Sequence, residues 1–397
     1  APRRPRGGPE GDGINEPKDK EDGLRAMTQE THASAAKFTA SWIAHACGGS
    51  VVGGQEEAGA SAVSRDSRTI DAGEAFIALR GERFDGHDFV SDALDKGASI
   101  AVVEKVEDEW LDAGAAIVKV DDTGDALVQM AARHRDRLQG KVAAVTGSCG
   151  KSTIKNMLGA ILGHEGACTV APSSYNNRIG VPLTLLDAGV ENAYVVTEMG
   201  ANAPGEIDEL AACARPDGAV VSCIGRCHLE GFGSREGVRD AKGEIVPHIN
   251  PDGVLVLNAD DELCMSLAED FPGEVVTFAL EGDAWVRPTD IEKSEQGWTF
   301  SARGETLRIN APGRHNVINA AAAMALALKL GAGMDSVRQG LMDFSPPPLR
   351  YQKSEVAGIT LVEDCYNSNP TAVRAAVDAF MDEPIEGRKA VLLGDML

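Results

Sequence analysis

The apolar positions of this chain fall into short unbroken runs separated by amphipathic stretches, and this alternation is most regular from residue 141 onward. KVAAVT (141–146) predicts a strand and KSTIKNMLGAILG (151–163) a helix. AYVVTEMG (193–200), GAVVSCIG (218–225) and GVLVLNAD (253–260) predict further strands. Between them PGEIDELAACA (204–214) and SREGVRDAKGEIVPHI (234–249) read as helices. Apolar runs without in–out alternation mark strands covered on both faces, so this part is expected to be a parallel sheet flanked by helices.

The flanking regions differ. Residues 1–34 are polar, rich in Gly and Pro and without apolar periodicity, and read as a disordered tail. Residues 35–136 hold strand-like AFIALRG and SIAVVEKV and helix-like FVSDALDKGA, a small α/β unit. After β-type segments EVVTFAL and WTFSARGETLRI, GRHNVINAAAAMALALKLG predicts a long Ala-rich helix. Ser345-Pro346-Pro347-Pro348 cannot continue a helix and marks a boundary. Beyond it, GITLVEDCY, TAVRAAVDAFMD and KAVLLGDM predict the opening of a second βαβ fold. The expected domains are therefore 35–136, 137–345 and 346–397. The last stops directly after a strand, so it is expected to be cut short.

Charge narrows the function classes. Lys and Arg number 38 against 61 Asp and Glu, a formal net charge of −23. Such a surface repels phosphate backbones, so no nucleic-acid partner is expected, and any phosphate site must be local. The longest uncharged helical stretch, Val317 to Leu328, is 12 residues, too short for a membrane span. The eight scattered cysteines fit reduced thiols in a cytoplasmic protein better than a disulfide framework. The many acids at the N-terminus argue against an organelle transit remnant.

Chemistry concentrates at Thr146-Gly147-Ser148-Cys149-Gly150-Lys151-Ser152-Thr153, between the 141–146 strand and the following helix. Successive backbone N–H groups at a helix start can cradle a triphosphate; Lys151 can reach its outer phosphates and Ser152 can bind Mg²⁺. The general loop pattern would place its first glycine at position 145, where Val145 stands, so this loop is a shortened variant. Glu198 ends a strand at the carboxyl edge, where ligands of open α/β sheets bind, and could complete a Mg²⁺ shell. His228 follows the next strand and is open between metal or phosphate ligand and structural residue. Cys223, Cys227 and His228 lack a second ligand pair for zinc. Lys242 by itself reads as a surface lysine. Arg314, His315, Asn316 and Asn319 open the Ala-rich helix, where capping competes with nucleotide contact. Asp364, at a strand end, could bind a ribose hydroxyl.

These motifs together resemble the Mur ligases of peptidoglycan synthesis. The resemblance runs from about Ser64 to Leu397. It rests on TGSCGKST, SRDSRTIDAGEAFIALRGERFDGHDFV, NNRIGVPLTLL, EMGANAPGEI, HLEGFGSREGVRDAKGEIV, NADD, PGRHNVINAAAAMALA and EDCYNSNP followed by LLGDM. NNRIGVPLTLL, EMGANAPGEI and HLEGFG point to the branch that adds a dipeptide. The resemblance implies an α/β protein of three domains: a uridine-nucleotide domain, a central parallel-sheet ATPase and a Rossmann-like lid, here truncated. It implies an amide ligase that joins D-alanyl-D-alanine to UDP-N-acetylmuramoyl-tripeptide through an acyl phosphate, with ATP and two Mg²⁺ ions, acting as a monomer. Ser64, Ser67, Arg68, Asp85, Gly86 and His87 would sit near the UDP-sugar, and Asn176 and Asn177 would face the substrates. The loop Gly147–Thr153 with Asn316, Arg350 and Asp364 would hold ATP. Lys151, Glu198, His228 and Lys242 would be catalytic, with Ser152, Glu198 and His228 on the metals. Lys242 matches a lysine that is carbamylated in several relatives. Two alternatives stand beside this: a sibling ligase for another amino acid, and a nucleotide-binding fragment without turnover. With a shortened lid, weak activity or none is expected.

Overall fold

A computed structural model of the chain describes residues 36–81, 83–227, 229–294, 297–367, 370–383 and 387–394. The tail expected at 1–34 and His228 lie outside the described residues.

The first sheet is built from β1 (Ser50–Gly53), β2 (Val63–Ser64), β3 (Ala75–Ile77), β4 (Ile100–Val103) and β5 (Ala116–Lys119), in the order β1-β5-β4-β3-β2. β2 to β5 run parallel, and β1 closes one edge antiparallel. Helices α1 (Ala40–Ala46), α2 (Val90–Asp95) and α3 (Thr123–Arg135) accompany it. The helix expected over 89–98 is shorter than its sequence pattern, because Gly86–Phe89 forms a 3₁₀ turn and Gly97 turns the chain at φ +92.

The central sheet is wholly parallel. Its strands are β6 (Lys141–Thr146), β7 (Cys168–Val170), β8 (Tyr194–Glu198), β9 (Gly218–Val221), β10 (Val254–Asn258) and β11 (Glu274–Phe278), ordered β11-β10-β9-β6-β8-β7. After β6 the chain runs to one edge at β7, returns to place β8 between β7 and β6, and then crosses to build β9, β10 and β11 outward on the other side. This reversal of strand order lies at β6, between β8 and β9, where ligands of open α/β sheets enter. Side-chain alternation along β6 supplies two cores at once. Val142 and Ala144 face α5 (Gly180–Asp187), α6 (Glu206–Ala214) and α7 (Arg235–Gly243). Ala143 and Val145 face α4 (Lys151–Gly163), α8 (His315–Lys329) and α9 (Met334–Asp343). The first of these cores continues into the first sheet through Ile77, Ile100, Val102 and Val118. Both faces are dry, which is why the strand sequences show no polar alternation.

The helix expected over 234–249 ends at Gly243, and Val246–His248 follows as a separate 3₁₀ turn. Pro247 causes the break, since it has no N–H to donate and its ring crowds the preceding turn. A meander of β12 (Thr289–Ser294), β13 (Gly297–Ala302) and β14 (Glu305–Ile309) packs beside α8 and α9. In α8, Ala320 to Ala327 are all fully buried, and their small side chains let the helix lie close to its neighbours.

The region after residue 345 departs from the βαβ expectation. Ile359–Glu363 is a strand, β16, but its partner is Gln352–Val356, β15, and the two form an antiparallel hairpin before α10 (Pro370–Met381). The strand expected at KAVLLGDM does not form over its described residues 389–394, and Leu392 is 99% exposed. A strand exists only beside a partner that takes its N–H and C=O groups, and none lies alongside among the described residues.

Gly340 of α9 shows how tightly α9 and α4 meet: a Cβ there would fall 2.5 Å from the backbone N and Cα of Ile161. Alanine would gain helix propensity, but backbone atoms cannot yield, so the clash dominates. Gly340→Ala is expected to cost about 1–3 kcal/mol, read from urea unfolding; an unchanged midpoint would refute the packing account.

Candidate functional site

The loop between β6 and α4 is assembled from two glycines and a neighbouring strand end. Gly147 has φ +128, and a Cβ on it would strike Ser222 Oγ. Gly150 has φ +81 at the N-cap of α4, and a Cβ there would meet Asn319 Oδ1 at 2.5 Å. No side chain caps α4, so its first N–H groups are presented toward a ligand rather than spent. The loop is strapped to the chain after β9. Ser148 N–H donates to Cys223 O at 2.9 Å, and Ser222 Oγ donates to Cys149 O at 2.5 Å. Gly225 N–H donates to Ser148 Oγ at 2.8 Å. Lys151 Nζ lies 2.9 Å from Gly147 O, folded along its own loop.

The loop forms a shared wall of two cavities, about 210 and 470 Å³. The first gathers Cys149, Gly150, Thr153, Asn316, Arg350 and Asp364, all expected at the nucleotide. The capping reading for the start of α8 fails: its N-cap is Arg314, without a side-chain bond. Asn316 Nδ2 instead donates to Pro312 O at 2.5 Å and Asn319 Nδ2 to Asn316 Oδ1 at 3.0 Å, which fixes both amides beside Gly150. Arg350 Nη2 donates to Ser152 Oγ at 3.1 Å, and its guanidinium lies 4.7 Å from the Tyr366 ring centre. Burial raises the Asp364 carboxyl above its usual range, and Arg350 opposes the rise.

The second cavity gathers Gly147, Lys151, Asn176, Asn177, Cys227 and Lys242. Glu198, at the end of β8, is 1% exposed rather than a solvated loop acid. Its Oε1 accepts from Asn176 Nδ2 at 2.8 Å, while Oε2 is buried with no hydrogen-bond partner among the described residues. A buried, half-satisfied carboxylate is costly and fits a cation as its missing partner. Asn177 is different: its Oδ1 accepts the N–H groups of Ile179 and Gly180, which ties down the chain where α5 begins. Lys242 is not on the surface. It is 1% exposed, with Nζ 5.6 Å from the Phe232 ring centre, and burial followed by the charge of Lys151 lowers its pKa to about 8.

The residues expected near a UDP-sugar cluster at the carboxyl edge of the first sheet, after β2 and β3. Ser64 Oγ accepts from Asp66 N–H at 3.3 Å. Arg68 is exposed and pairs with Asp66, holding that carboxyl at about 2. Ser67 O accepts from Lys96 Nζ at 2.6 Å. The His87 ring is wholly buried. Glu104 N–H donates to its Nε2 at 2.9 Å, so the proton sits on Nδ1, which donates to Asp85 Oδ1 at 2.6 Å. Gly86 passes so close to Leu79 that a Cβ would lie 2.7 Å from its N and O. His87 and Gly86 thus shape the turn. This edge meets the 171–178 loop, where Arg65 lies 5.9 Å from the Tyr175 ring centre.

Two side chains at the site escaped the sequence reading. Lys155, fully buried on α4, donates to Ala171 O and Ser173 O; its signal was a lysine on the apolar face, one turn after Lys151. Arg178 pairs with Asp125 and, at 2.8 Å, with Glu209. Among the described residues no group of three or more His, Cys, Asp or Glu is poised for a metal, which leaves sites built from one or two protein oxygens plus ligand.

The Mur ligase middle domain matches residues 145–327 and the Mur ligase catalytic domain residues 60–135. UDP-N-acetylmuramoyl-tripeptide–D-alanyl-D-alanine ligase of Bacillus subtilis is 36% identical over 340 residues, covering 84% of this chain and 73% of the relative. The Escherichia coli enzyme of that name is 36% identical over 344 residues, 84% and 74%. The chain belongs to the Mur ligase family. Among solved Mur ligases, MurF from Acinetobacter baumannii superposes with a TM-score of 0.79 at 36% identity, over 87% of this chain and 77% of that one. MurF from Thermotoga maritima, solved with ADP, gives 0.70 at 29%, over 81% and 75%. The α/β fold around a central parallel sheet is the Mur ligase fold.

The buried amine yields a prediction. Its folded pKa of about 8 lies below the 10.5 of an unperturbed lysine. Between these values the unfolded chain holds more protons, so stability rises with pH there, and below about 8 the whole penalty persists. At about 1.4 kcal/mol per pH unit this amounts to about 3 kcal/mol. Lys242→Met is therefore expected to be more stable than the parent at pH 7 in CO₂-free buffer, by up to that amount, with the gap closing toward pH 10.5. Equal stabilities at pH 7 by urea unfolding would contradict the burial of an amine.

Proposed function

We propose that this chain is an ATP-dependent amide ligase that joins D-alanyl-D-alanine to UDP-N-acetylmuramoyl-tripeptide for peptidoglycan precursor synthesis. The observation that carries the reading is the placement of one phosphate-type loop between two cavities, together with 36% identity to enzymes of that name. In this reading residues 35–136 bind the uridine nucleotide, 137–345 bind ATP and 346–397 belong to the lid.

A carboxylate resists attack by an amine because oxide is a poor leaving group. Transfer of the γ-phosphoryl group to the tripeptide carboxylate releases ADP and leaves an acyl phosphate. The dipeptide's ammonium group gives up a proton, the neutral amine adds to the acyl carbon, and the tetrahedral intermediate loses a second proton from nitrogen and expels phosphate. The protein's part is positioning and charge stabilisation. Backbone N–H groups of Gly147–Thr153 cradle the phosphates, and Lys151, at the wall between the cavities, follows the transferring group. Asn316, Arg350 and Asp364 hold the nucleoside side. Ser152 and the open Oε2 of Glu198 are the oxygens for a divalent ion, with His228 as the family-implied ligand of a second. Mg²⁺, when bound, neutralises the phosphate charge. A divalent ion on Ser152 would compete with Arg350 Nη2, which donates to the same hydroxyl.

Lys242 suits carbamylation. At a pKa of about 8 a fair share of its amine is neutral near pH 7.5; that amine adds to CO₂, loses a proton and becomes a carboxylate. Such a group beside Lys151 would turn a buried cation into an anion facing the second metal. On the substrate side, Asn176 orients Glu198, and the Ser64–Arg68 and Asp85–His87 turns frame the UDP-sugar. No helix among the described residues is long and apolar enough to cross a membrane, and the proposed setting is a cytoplasmic monomer acting on soluble nucleotide-linked substrates.

The test is ADP release in the presence of ATP, Mg²⁺, UDP-N-acetylmuramoyl-tripeptide and D-alanyl-D-alanine. Release should require both acceptor substrates; release with a different amino acid instead would assign a sibling ligase, and binding without turnover would overturn the reading. Glu198→Gln should lower kcat by about 100-fold or more and raise the Mg²⁺ requirement; wild-type turnover would remove Glu198 from the metal site.

A further inference from the structure

Lys155 is the buried cation that the mechanism leaves unused. It lies one helical turn after Lys151 on α4 and is 1% exposed. Packing alone would be served better by a hydrocarbon side chain, because an ammonium taken from water must recover its hydration through close partners. It does so with two carbonyls: Nζ lies 2.6 Å from Ala171 O and 3.0 Å from Ser173 O. Burial lowers its pKa, Glu198 opposes this, and Arg350 acts in the same direction as burial.

The two carbonyls stand where the chain leaves the sheet after β7. Ala171 N–H still donates to Val196 O at 2.9 Å, the last bond toward β8. Two residues later Ser173 takes a left-handed backbone, φ +44, which a non-glycine residue holds only when its surroundings impose it. The loop then turns on itself through Tyr175 N–H to Pro172 O and Asn176 N–H to Ser174 O. Its far end is pinned by Gly200 N–H to Asn176 O at 2.8 Å. Between these pins the Asn176 amide reaches Glu198 Oε1.

We propose that Lys155 is a positioning residue: it ties the helix that carries the phosphate loop to the 171–178 loop, and thereby sets the Asn176 amide against Glu198. The same helix thus presents N–H groups and Lys151 at its head and, one turn on, fixes the loop that orients the metal-facing carboxylate. Phosphate and acceptor sides then share one rigid reference. This rests on the ligase reading above.

The test is a double-mutant cycle with Lys155→Met and Asn176→Ala in the complete protein. Lys155→Met should bind Mg²⁺·ADP within about threefold of the parent, since the phosphate loop is untouched, while kcat falls about 10- to 100-fold through mispositioning. Because both act through one contact, the double variant should be no more than about twofold slower than Asn176→Ala alone. Multiplying losses, an unchanged kcat in Lys155→Met, or loss of ADP binding in step with kcat would each overturn the proposal. Lys155→Gln, which keeps a donor, should recover part of kcat; if neither variant folds, the lysine serves the fold and the proposal falls. The unaltered protein separates the two readings: absence of ADP release there overturns the ligase assignment. The same cycle read as calorimetric binding of the UDP-linked substrate still decides the role of Lys155.

Discussion

An uncapped helix start is the constraint on which the rest of this structure depends. The first turn of α4 needs partners for its N–H groups, and the chain withholds the Ser, Thr or Asp that would supply one. A left-handed Gly150 takes the cap position instead, pressed against Asn319. Held open in this way, the turn is an anion site, and it must stay rigid without its own cap. The stiffness comes from outside: Ser222 and Cys223 strap the loop to the end of β9, and Thr146 Oγ1 donates to Met199 O after β8. Both neighbouring strands of β6 therefore hold the loop, which is possible only because β6 lies at the reversal of strand order.

Net charge makes that site more demanding. A molecule of formal charge −23 gains nothing from its general field when it binds a polyphosphate. The cations it does place nearby are largely withdrawn from water: Lys155 and Lys242 are each 1% exposed. Burial strengthens their interactions by lowering the local dielectric, and the same burial depresses their pKa values. Lys242, unlike Lys155, has no carbonyl at hydrogen-bond distance among the described residues, and its Nζ lies 5.6 Å from the centre of the Phe232 ring.

Much of the fold was legible because the central sheet obeys local rules. Residues 141–146 and 151–163 form the strand and helix that their apolar runs predict, to the residue. Legibility failed where structure depends on distant partners. Residues 389–394 have strand composition but no neighbour to pair with, and β15 has little apolar signal yet forms because β16 folds back onto it. At the site, the loop and Glu198 were singled out from their places after buried strands, whereas Arg350 came only from the family resemblance and Asn316 stood open between capping and nucleotide contact. The burial of Lys242 was not legible, since REGVRDAKG is polar overall and only the third dimension shows which face is covered. His87 was named only through the family resemblance, and its sequence carried no sign that Asp85 and Glu104 hold the ring.

The contact between Arg350 and Ser152 gives the C-terminal segment a defined relation to the loop. Arg350 follows the proline boundary and stacks over Tyr366, so its position reports on the β15–β16 hairpin as a whole. Its guanidinium lies on the hydroxyl that the loop offers to a cation. A positive group at that place gives the hydroxyl a donor but leaves the nearby anion-seeking N–H groups without an acceptor, because a guanidinium has none to offer. Entry of a phosphate with its counter-ion would pull Arg350 from Ser152 toward the phosphate oxygens, where a fork of donors binds more strongly than to a neutral hydroxyl.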